Sequence, residues 1–150
     1  MPAISVWGPP TWIMLHKLAE ALHEADYPRL SAQLFGFIRR ICAALPCPEC
    51  SQHATTFLNT VKPSSISNKT DFVNTLYLFH NMVNVRKHKP LFNHQSVARY
   101  RSIHIQAAFK NFVSVYNTRG DLKLLAETFQ RQLVVKDLRH WLNTNRLSFS

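Results

Sequence analysis

Residues 70–86 read TDFVNTLYLFHNMVNVR, a run whose apolar side chains recur at the spacing of an α-helix. A helix that packs against others buries residues three or four apart, which share one face. The residues on the apolar face here are Phe72, Leu76, Phe79 and Val83. Pro90 ends the run, because proline cannot continue a helix. The stretch therefore predicts a helix of about four turns with one face buried in a core.

Toward the N-terminus, the same spacing predicts three more helices. We expect the first to start after Gly8, with two prolines in its first turn where no amide donor is needed, and to be broken by Pro28. The second runs from about Leu30 to Ala44, and Pro46 ends it and opens the third. Only 3 of the 150 residues are Gly and 46% are hydrophobic, which favours an all-α protein. Four helices of this length predict a compact four-helix bundle.

Toward the C-terminus, helical spacing resumes after Asn93. It predicts a fifth helix through Phe112 and one or two more from Asp121 to Trp141, with a turn at residues 117–120 between them. The side chains expected to face inward on the last stretch are Leu125, Phe129, Leu133 and Leu138. These extra helices would add to the bundle at its C-terminal end.

A domain boundary is expected at Asn93. Residues 1–93 would form the main helical domain, and residues 94–150 a basic helical extension that packs on the core or on a dimer partner, with Trp141 as a candidate anchor. The chain has 18 Lys and Arg against 8 acidic residues, and residues 93–150 carry 9 basic and 3 acidic side chains. The basic residues are spread along the helices, which favours a solvated face. Binding to nucleic acid or to an acidic partner is the alternative.

The cellular location is predicted from two features of the hydropathy pattern. No stretch approaches the roughly 20 apolar residues that a membrane span needs. The N-terminus lacks a basic segment followed by an apolar run, so we expect no signal peptide. Both features favour a cytoplasmic protein without a membrane span.

Two cysteines, Cys47 and Cys50, stand three apart at the expected start of the third helix, in the sequence PCPEC. Such a pair can close a small disulfide, and a helix N-terminus stabilises a thiolate and lowers its pKa. Without a secretion signal, the pair indicates redox chemistry or metal binding rather than a structural disulfide. We expect an incoming thiol to attack Cys47, the outer sulfur, while Cys50 is shielded. A zinc site formed by this pair with His53 and His80 is the alternative.

Two further groups of polar and aromatic residues fall at helical spacing. His80, Asn81 and Asn84 share one face of the fourth helix, where they are costly to bury without partners. Trp12 and His16 stand one turn apart on the first helix, and a Trp ring can stack on a planar heterocycle. A bound heterocycle with many donors and acceptors would satisfy the polar groups. The alternative is a solvated helix face and an ordinary core Trp.

Taken in order, these residues resemble the Erv/ALR family of FAD-dependent sulfhydryl oxidases. The family pattern runs G-x-x-x-W-x-x-x-H, then C-x-x-C at a helix start, then H-N-x-V-N one helix later, then K-P-x-F. The matching residues are Gly8, Trp12, His16, Cys47, Cys50, His80, Asn81, Val83, Asn84, Lys89, Pro90 and Phe92. The resemblance covers about residues 5–92.

The resemblance implies a four-helix bundle that cradles FAD, with a short fifth helix, assembled as a homodimer. It implies a thiol oxidase that forms disulfides in dithiol protein substrates and passes electrons through FAD to O2, producing H2O2. Cys47 would exchange with substrate, and Cys50 would lie next to the flavin. The residues implied to bind the cofactor are Gly8, Trp12, His16, Cys50, His53, His80, Asn81, Val83, Asn84, Lys87 and Lys89.

The chain departs from the cellular members of the family in its few cysteines. It has no second, shuttle cysteine pair, and Leu78 and Phe79 stand where a structural cysteine precedes the H-N-x-V-N motif. This content resembles the oxidases of large DNA viruses, whose sites of action would be the viral factory or the virion, and it favours direct transfer from Cys47 to a partner protein. Cys42 has no family counterpart, and we expect it to face the core. A basic helical adaptor without activity, in which the cysteine pair is incidental, is the alternative function.

Overall fold

The computed structural model describes residues 3–117 and 125–150. Its α-helices are α1 (Ile4–Ala21), α2 (Tyr27–Ala43), α3 (Pro48–Leu58), α4 (Lys69–Arg86), α5 (Ile105–Tyr116) and α6 (Leu125–Thr144). A 3₁₀ segment, His94–Ser102, joins α4 to α5. Within the described ranges the only β-type pairing is one antiparallel bridge, between Leu22 and Phe149. The prediction of an all-α bundle with extra C-terminal helices is confirmed.

The start of α1 differs from the sequence prediction. The helix begins at Ile4, one turn before Gly8, so that Pro9 and Pro10 lie in its second turn rather than its first. In the second turn each proline lacks the amide that would donate to the carbonyl four residues earlier, so α1 loses two backbone hydrogen bonds there, although the fixed φ of proline suits the helix. Pro28 does not break α1 either; it lies in the first turn of α2, where proline is well tolerated.

The helices α3 and α4 both start at a capping side chain. The Cys47 sulfur accepts a hydrogen bond from the Cys50 amide at 3.2 Å, and the Asn68 side-chain oxygen accepts one from the Asp71 amide at 2.9 Å. Each side chain satisfies an amide that has no partner within its own helix. The predicted limits of α2 and α4 and the predicted start of α3 agree with the structure to within a few residues.

The single fifth helix expected after Asn93 is instead two elements. The 3₁₀ segment His94–Ser102 comes first, and α5 begins only at Ile105 after an extended Ile103. Val97 and Tyr100 are both buried, and their spacing of three matches the three-residue turn of a 3₁₀ helix. Apolar residues three apart are compatible with either helix type, which is why the sequence did not separate them.

The buried face of α6 was predicted incorrectly in part. Leu138 is fully buried as expected, but Phe129 is 59% exposed and Leu133 is 39% exposed. The prediction for the Leu125 side chain and the start at Asp121 lie outside the described residues, as does most of the turn at 117–120. The residues that α6 buries are Thr128, Arg131, Val134, Val135, Leu138 and Trp141. The buried face of α6 includes Arg131. Charged residues normally face solvent, so the sequence prediction placed a different face of the helix toward the core.

The helices after residue 104 share one hydrophobic core with α1–α4. Phe112 and Tyr116 of α5 and Leu138 of α6 are fully buried in the same cluster as Met14 and Leu34. The extension therefore packs on the bundle in this structure, while the boundary at Asn93 stays a prediction. No helix of the described ranges is long and apolar enough to span a membrane.

Trp141 anchors α6 against α2, as the sequence suggested. Its indole donates a hydrogen bond to the Gln33 side chain at 2.6 Å and packs against the rings of Phe37 and Phe149.

After α6, the chain returns to the end of α1: the His23 amide donates to the Ser148 carbonyl at 2.7 Å, and the Ser150 amide donates to the Ala21 carbonyl at 2.9 Å.

Candidate functional site

A cavity of about 460 Å³ opens between the first half of α1, the start of α3, the last turns of α4 and the end of α2. This volume lies within the usual range for sites that bind small molecules. The aromatic residues in its wall are Trp7, Trp12, Phe79, His80 and Tyr100. The two sulfur atoms in its wall belong to Cys42 and Cys50. The cavity is therefore an apolar, ring-lined space with a cysteine of the C-x-x-C pair at its edge.

The Cys47–Cys50 disulfide joins this cavity to the protein surface. The two residues are bonded through sulfur, with their Cα atoms 5.2 Å apart. Cys50 is buried and lines the cavity, whereas Cys47 is half-buried and is not a lining residue. The pair thus has an inner and an outer sulfur, in the order that the sequence suggested.

Trp12 and the two histidines of the motifs form one stack of rings. The Trp12 and His80 rings lie face to face, with centroids 4.0 Å apart. His16 Nε2 and His80 Nδ1 are hydrogen-bonded at 3.0 Å, and the His16 ring stacks on Tyr100 and on Phe92. His16 therefore lies behind His80, on the side away from the cavity, and sets the position of its ring.

Both histidines are neutral near pH 7. Burial, and then the proximity of His80, lowers the pKa of His16 to about 3. Burial, and then Lys89, lowers the pKa of His80 to about 4. The hydrogen bond between two neutral rings requires that one nitrogen carries the proton and the other accepts it, so the tautomers of the pair are coupled.

Asn81 holds the K-P-x-F segment against α4. Its side-chain amide donates to the Phe92 carbonyl at 3.1 Å, and its oxygen accepts from the Phe92 amide at 2.6 Å. The same oxygen accepts from the Asn84 side chain at 3.3 Å. The chain can return to Phe92 because His88 adopts a left-handed backbone conformation, with φ of 56°. Asn81 thus shapes the loop that carries Lys87 and Lys89.

Three cationic side chains, Arg86, Lys87 and Lys89, line the cavity at the end of α4. Arg86 also lies 3.7 Å from the carboxylate of Glu49, the residue before Cys50. No carboxylate is among the lining residues of this described cavity. The cationic edge is complementary to an anionic group such as a phosphate.

The structure places most of the sequence-predicted cofactor residues in the cavity wall. Those that line it are Gly8, Trp12, Cys50, His80, Val83, Asn84, Lys87 and Lys89. His16 and Asn81 lie one layer behind the wall. His53 lies on the outer face of α3, half-exposed, with its ring 3.7 Å from Glu49. The cofactor roles of all these residues stay predictions.

Several wall residues were not predicted from the sequence, and four of them carry a charge, a ring or a thiol: Arg86, Trp7, Tyr100 and Cys42. Arg86 is adjacent to a predicted residue, and Trp7 directly precedes Gly8, so their neighbourhood was a usable signal. Tyr100 lies beyond the motifs, and its backbone is held by a hydrogen bond from the Lys17 ammonium to its carbonyl at 3.0 Å. Cys42 was correctly expected to be buried; burial raises the pKa of its thiol to about 12, and it also faces the cavity.

The zinc alternative is not supported by the arrangement of its four ligands. Cys47 and Cys50 are consumed in a disulfide, and His80 is hydrogen-bonded to His16. Within residues 3–117 and 125–150, no group of three His, Cys, Asp or Glu side chains is placed to hold a metal ion.

Comparison with known proteins identifies the family. The model of the Erv1 / Alr family matches residues 9–104. A protein of African swine fever virus (isolate Pig/Kenya/KEN-50/1950) named FAD-linked sulfhydryl oxidase is 32% identical over 104 residues, which cover 69% of this chain and 84% of the relative. A protein of Invertebrate iridescent virus 6 named Putative FAD-linked sulfhydryl oxidase 347L is 32% identical over 100 residues, which cover 63% and 89%. No solved structure matches the chain significantly. The chain belongs to the Erv1/Alr family.

Proposed function

We propose that the chain is an FAD-linked sulfhydryl oxidase in which Cys47 and Cys50 are the redox-active pair. Its family and the names of its viral relatives make it a flavin-dependent thiol oxidase. The observation that supports the role of the pair is its placement: Cys50 lines an aromatic cavity, while Cys47 lies outside it at the N-terminus of α3. Such a pair can take electrons at the surface and deliver them inside.

The residues of the cavity fit FAD. Its aromatic walls suit a planar ring system, and the Arg86, Lys87 and Lys89 side chains suit a pyrophosphate. Trp7 Nε1 is buried without a hydrogen-bond partner among the described residues, which is costly unless a bound group accepts from it. FAD, when bound, would accept two electrons from the cysteine pair and pass them to O2, which yields H2O2.

The first half of the reaction follows from the geometry of the disulfide. A substrate thiolate attacks the Cys47 sulfur, forms a mixed disulfide and releases Cys50 as a thiolate. The second thiolate of the substrate then attacks the other substrate sulfur, which is bonded to Cys47. This forms the substrate disulfide and releases Cys47 as a thiolate. The substrate has lost two electrons and its two thiol protons, and the Cys47–Cys50 pair has gained the electrons.

The helix start stabilises the reduced state of the pair. The Cys50 amide donates to the Cys47 sulfur at 3.2 Å, and the N-terminal end of α3 is electropositive. Both favour a thiolate over a thiol at Cys47. Cys50 lies on the cavity side, so we infer that electrons leave the pair from its sulfur.

A visible absorption spectrum of the purified protein, with metal content measured on the same sample, tests the proposal. We expect a flavin spectrum that bleaches with a dithiol and recovers in air while oxygen is consumed. Cys50→Ser should abolish turnover and keep the flavin bound. A folded but colourless protein, or a Cys50→Ser variant with full oxidase rates, would contradict the proposal.

We also propose a homodimer and a cytoplasmic site of action, as the family resemblance and the sequence suggested. An exposed apolar stripe on α4 offers a contact surface: Leu78, Met82 and Val85 are 59%, 55% and 62% exposed. Sedimentation of the wild type and of Met82→Lys tests the dimer, which the charge should weaken. A monomeric wild type would contradict the proposed dimer. Cell fractionation tests the proposed cytoplasmic location.

Nucleic-acid binding receives little support from the basic extension. Among its described cations, Arg101 pairs with Glu20 at 3.0 Å, Arg131 is buried, and Arg139 lies over the Phe109 ring. Salt-dependent retention on a duplex DNA column would restore this alternative.

A further inference from the structure

The C-terminal end of α2 and the residue after it take two hydrogen bonds from the C-terminal extension. The Tyr116 hydroxyl of α5 donates to the Ile41 carbonyl at 3.0 Å, and Arg131 Nη1 of α6 donates to the Ala44 carbonyl at 3.1 Å. The last carbonyls of a helix lack the amide four residues on that is their usual partner. The Ile41 carbonyl also accepts from the Ala44 amide at 3.2 Å. Both side-chain donors are almost fully buried, at 0% and 1% exposure, so water does not compete with them.

Arg131 is an unusual residue to bury at this place. No carboxylate lies within ion-pair distance of it in the described part of the chain. Its Nη2 donates to the Thr128 hydroxyl at 3.1 Å, and its Nε has no hydrogen-bond partner among residues 3–117 and 125–150. A buried cation without an acidic partner is costly, and an apolar side chain of similar volume would often be better tolerated. The electronegative end of α2 stabilises this charge, as does the carboxylate of Glu127 one turn earlier on α6.

The Ala44 carbonyl that Arg131 holds lies three residues before Cys47, the first residue of the redox pair. Ala44 is followed by Leu45, whose amide donates to the Ser51 hydroxyl at 2.8 Å. The Ser51 amide in turn donates to the Cys47 carbonyl at 3.0 Å. The short connection from α2 to Cys47 is thus fixed on one side by α6 and on the other by α3.

We propose that Arg131 is a positioning residue for the Cys47–Cys50 pair. By holding the Ala44 carbonyl, it fixes the connection that delivers Cys47 to the N-terminus of α3, and so keeps the two sulfurs close enough to re-form their bond readily. This inference rests on the proposed function for the redox role of the pair. Arg131 and Tyr116 both lie after residue 104, where the family match ends. The C-terminal extension of this chain therefore supplies both donors that hold the connection before Cys47.

The test is the dithiol–disulfide equilibrium of the pair in oxygen-free glutathione redox buffers, where the oxidase cannot turn over. It is read by alkylation and mass spectrometry on the holoenzyme. Arg131→Met removes the donors and the charge at similar volume. We expect it to shift the equilibrium toward the dithiol by about tenfold, which is about 30 mV for a two-electron couple. Arg131→Lys, which keeps a charge and a donor, should recover part of the shift. Lys136→Met removes an exposed cation from the same helix and should match the wild type.

Amide hydrogen exchange of the same variants separates positioning from general destabilisation. Arg131→Met should speed exchange in residues 45–51 and leave α1 unchanged. If Arg131→Met does not fold, Tyr116→Phe removes the neighbouring donor without a change of shape and should shift the equilibrium in the same direction by a smaller factor. An equilibrium equal to that of the wild type in the folded variants overturns the inference. A wild type without oxidase turnover would instead refute the proposed function, since the equilibrium is measured without turnover.

Discussion

The indole of Trp12 lies flat against the imidazole of His80, with the two ring planes 5° apart. The pair links α1 to α4 across the cavity wall, and both rings contribute to that wall. Stacked rings also supply a template on which a planar ligand can continue the stack. The arrangement therefore makes Trp12 both a packing residue and a candidate cofactor contact.

We expect Trp12→Ala to weaken FAD binding at least about tenfold, which is about 1.4 kcal/mol. The change removes one ring of the wall and frees His80 to rotate. Trp12→Phe keeps a ring and should lose less. Titration of apo-protein with FAD, followed by flavin fluorescence, measures the affinity. Equal affinities for the wild type and Trp12→Ala would contradict a role of this ring in binding.

The histidine pair should make the folded state sensitive to acid. The pKa values of His16 and His80 are about 3 and about 4 in the fold, below the ordinary value of about 6.5. The unfolded chain therefore binds these protons more tightly, so the full stability is present above about pH 6.5 and is lost as the pH falls toward 4. The slope should reach at most about 1.4 kcal/mol per pH unit for each histidine, and less for His80, which is partly exposed.

Urea unfolding between pH 7 and pH 4.5 measures this slope. The double variant His16→Phe/His80→Phe keeps the rings and removes both titrations, so its stability should change less with pH even if it is lower throughout. His140→Gln changes an exposed histidine and should follow the wild type. Parallel curves for the double variant and the wild type would show that other groups dominate.

The three cysteines of the reduced protein should react with an alkylating reagent in a fixed order. Cys47 is half-buried at a helix start, Cys50 is buried against the cavity, and Cys42 is fully buried with a pKa of about 12. Since only an accessible thiolate reacts readily, we expect Cys47 first, Cys50 next and Cys42 only on unfolding. A time course with iodoacetamide and peptide mass spectrometry gives the order. Reaction of Cys42 at the rate of Cys47 would contradict the described burial.

Asn81→Ala should loosen the loop after α4 without removing a cavity-lining side chain. The substitution deletes three hydrogen bonds and leaves the Phe92 amide and carbonyl without their partner, for a cost of about 1–3 kcal/mol. Trypsin should then cut faster after Arg86 and Lys87. Asn111→Ala, on the exposed face of α5, is the matched control. Unchanged cleavage in Asn81→Ala would mean that the loop does not depend on this side chain.

The bundle was predictable because its signals are local. Apolar spacing in α4 and the proline before Cys47 mark elements over a few turns, and the structure agrees with them. The inner and outer positions of Cys50 and Cys47 also followed from where a helix start places two residues three apart.

The features of the fold and of the site that were not predicted depend on contacts between distant parts of the chain. Tyr100 reaches the cavity because Lys17 holds its carbonyl across 83 positions, and no local spacing encodes that bond. Arg131 faces the core because the end of α2 needs a donor, which reverses the usual reading of a charge in a helix. Because Arg131 faces the core, Phe129 on the opposite side of the same helix is exposed.

The return of the chain to the end of α1 provides an experimental handle. Ser150 is hydrogen-bonded to Ala21, which lies 6 residues after Leu15, the last α1 residue in the cavity wall, or roughly 9 Å along the helix. A fluorescent label or surface tether attached at Ser150 would therefore stand at the far end of α1 from the cavity. Immobilised through this point, the protein would present Cys47 and the cavity mouth to a flowing substrate, so that substrate capture can be recorded in real time.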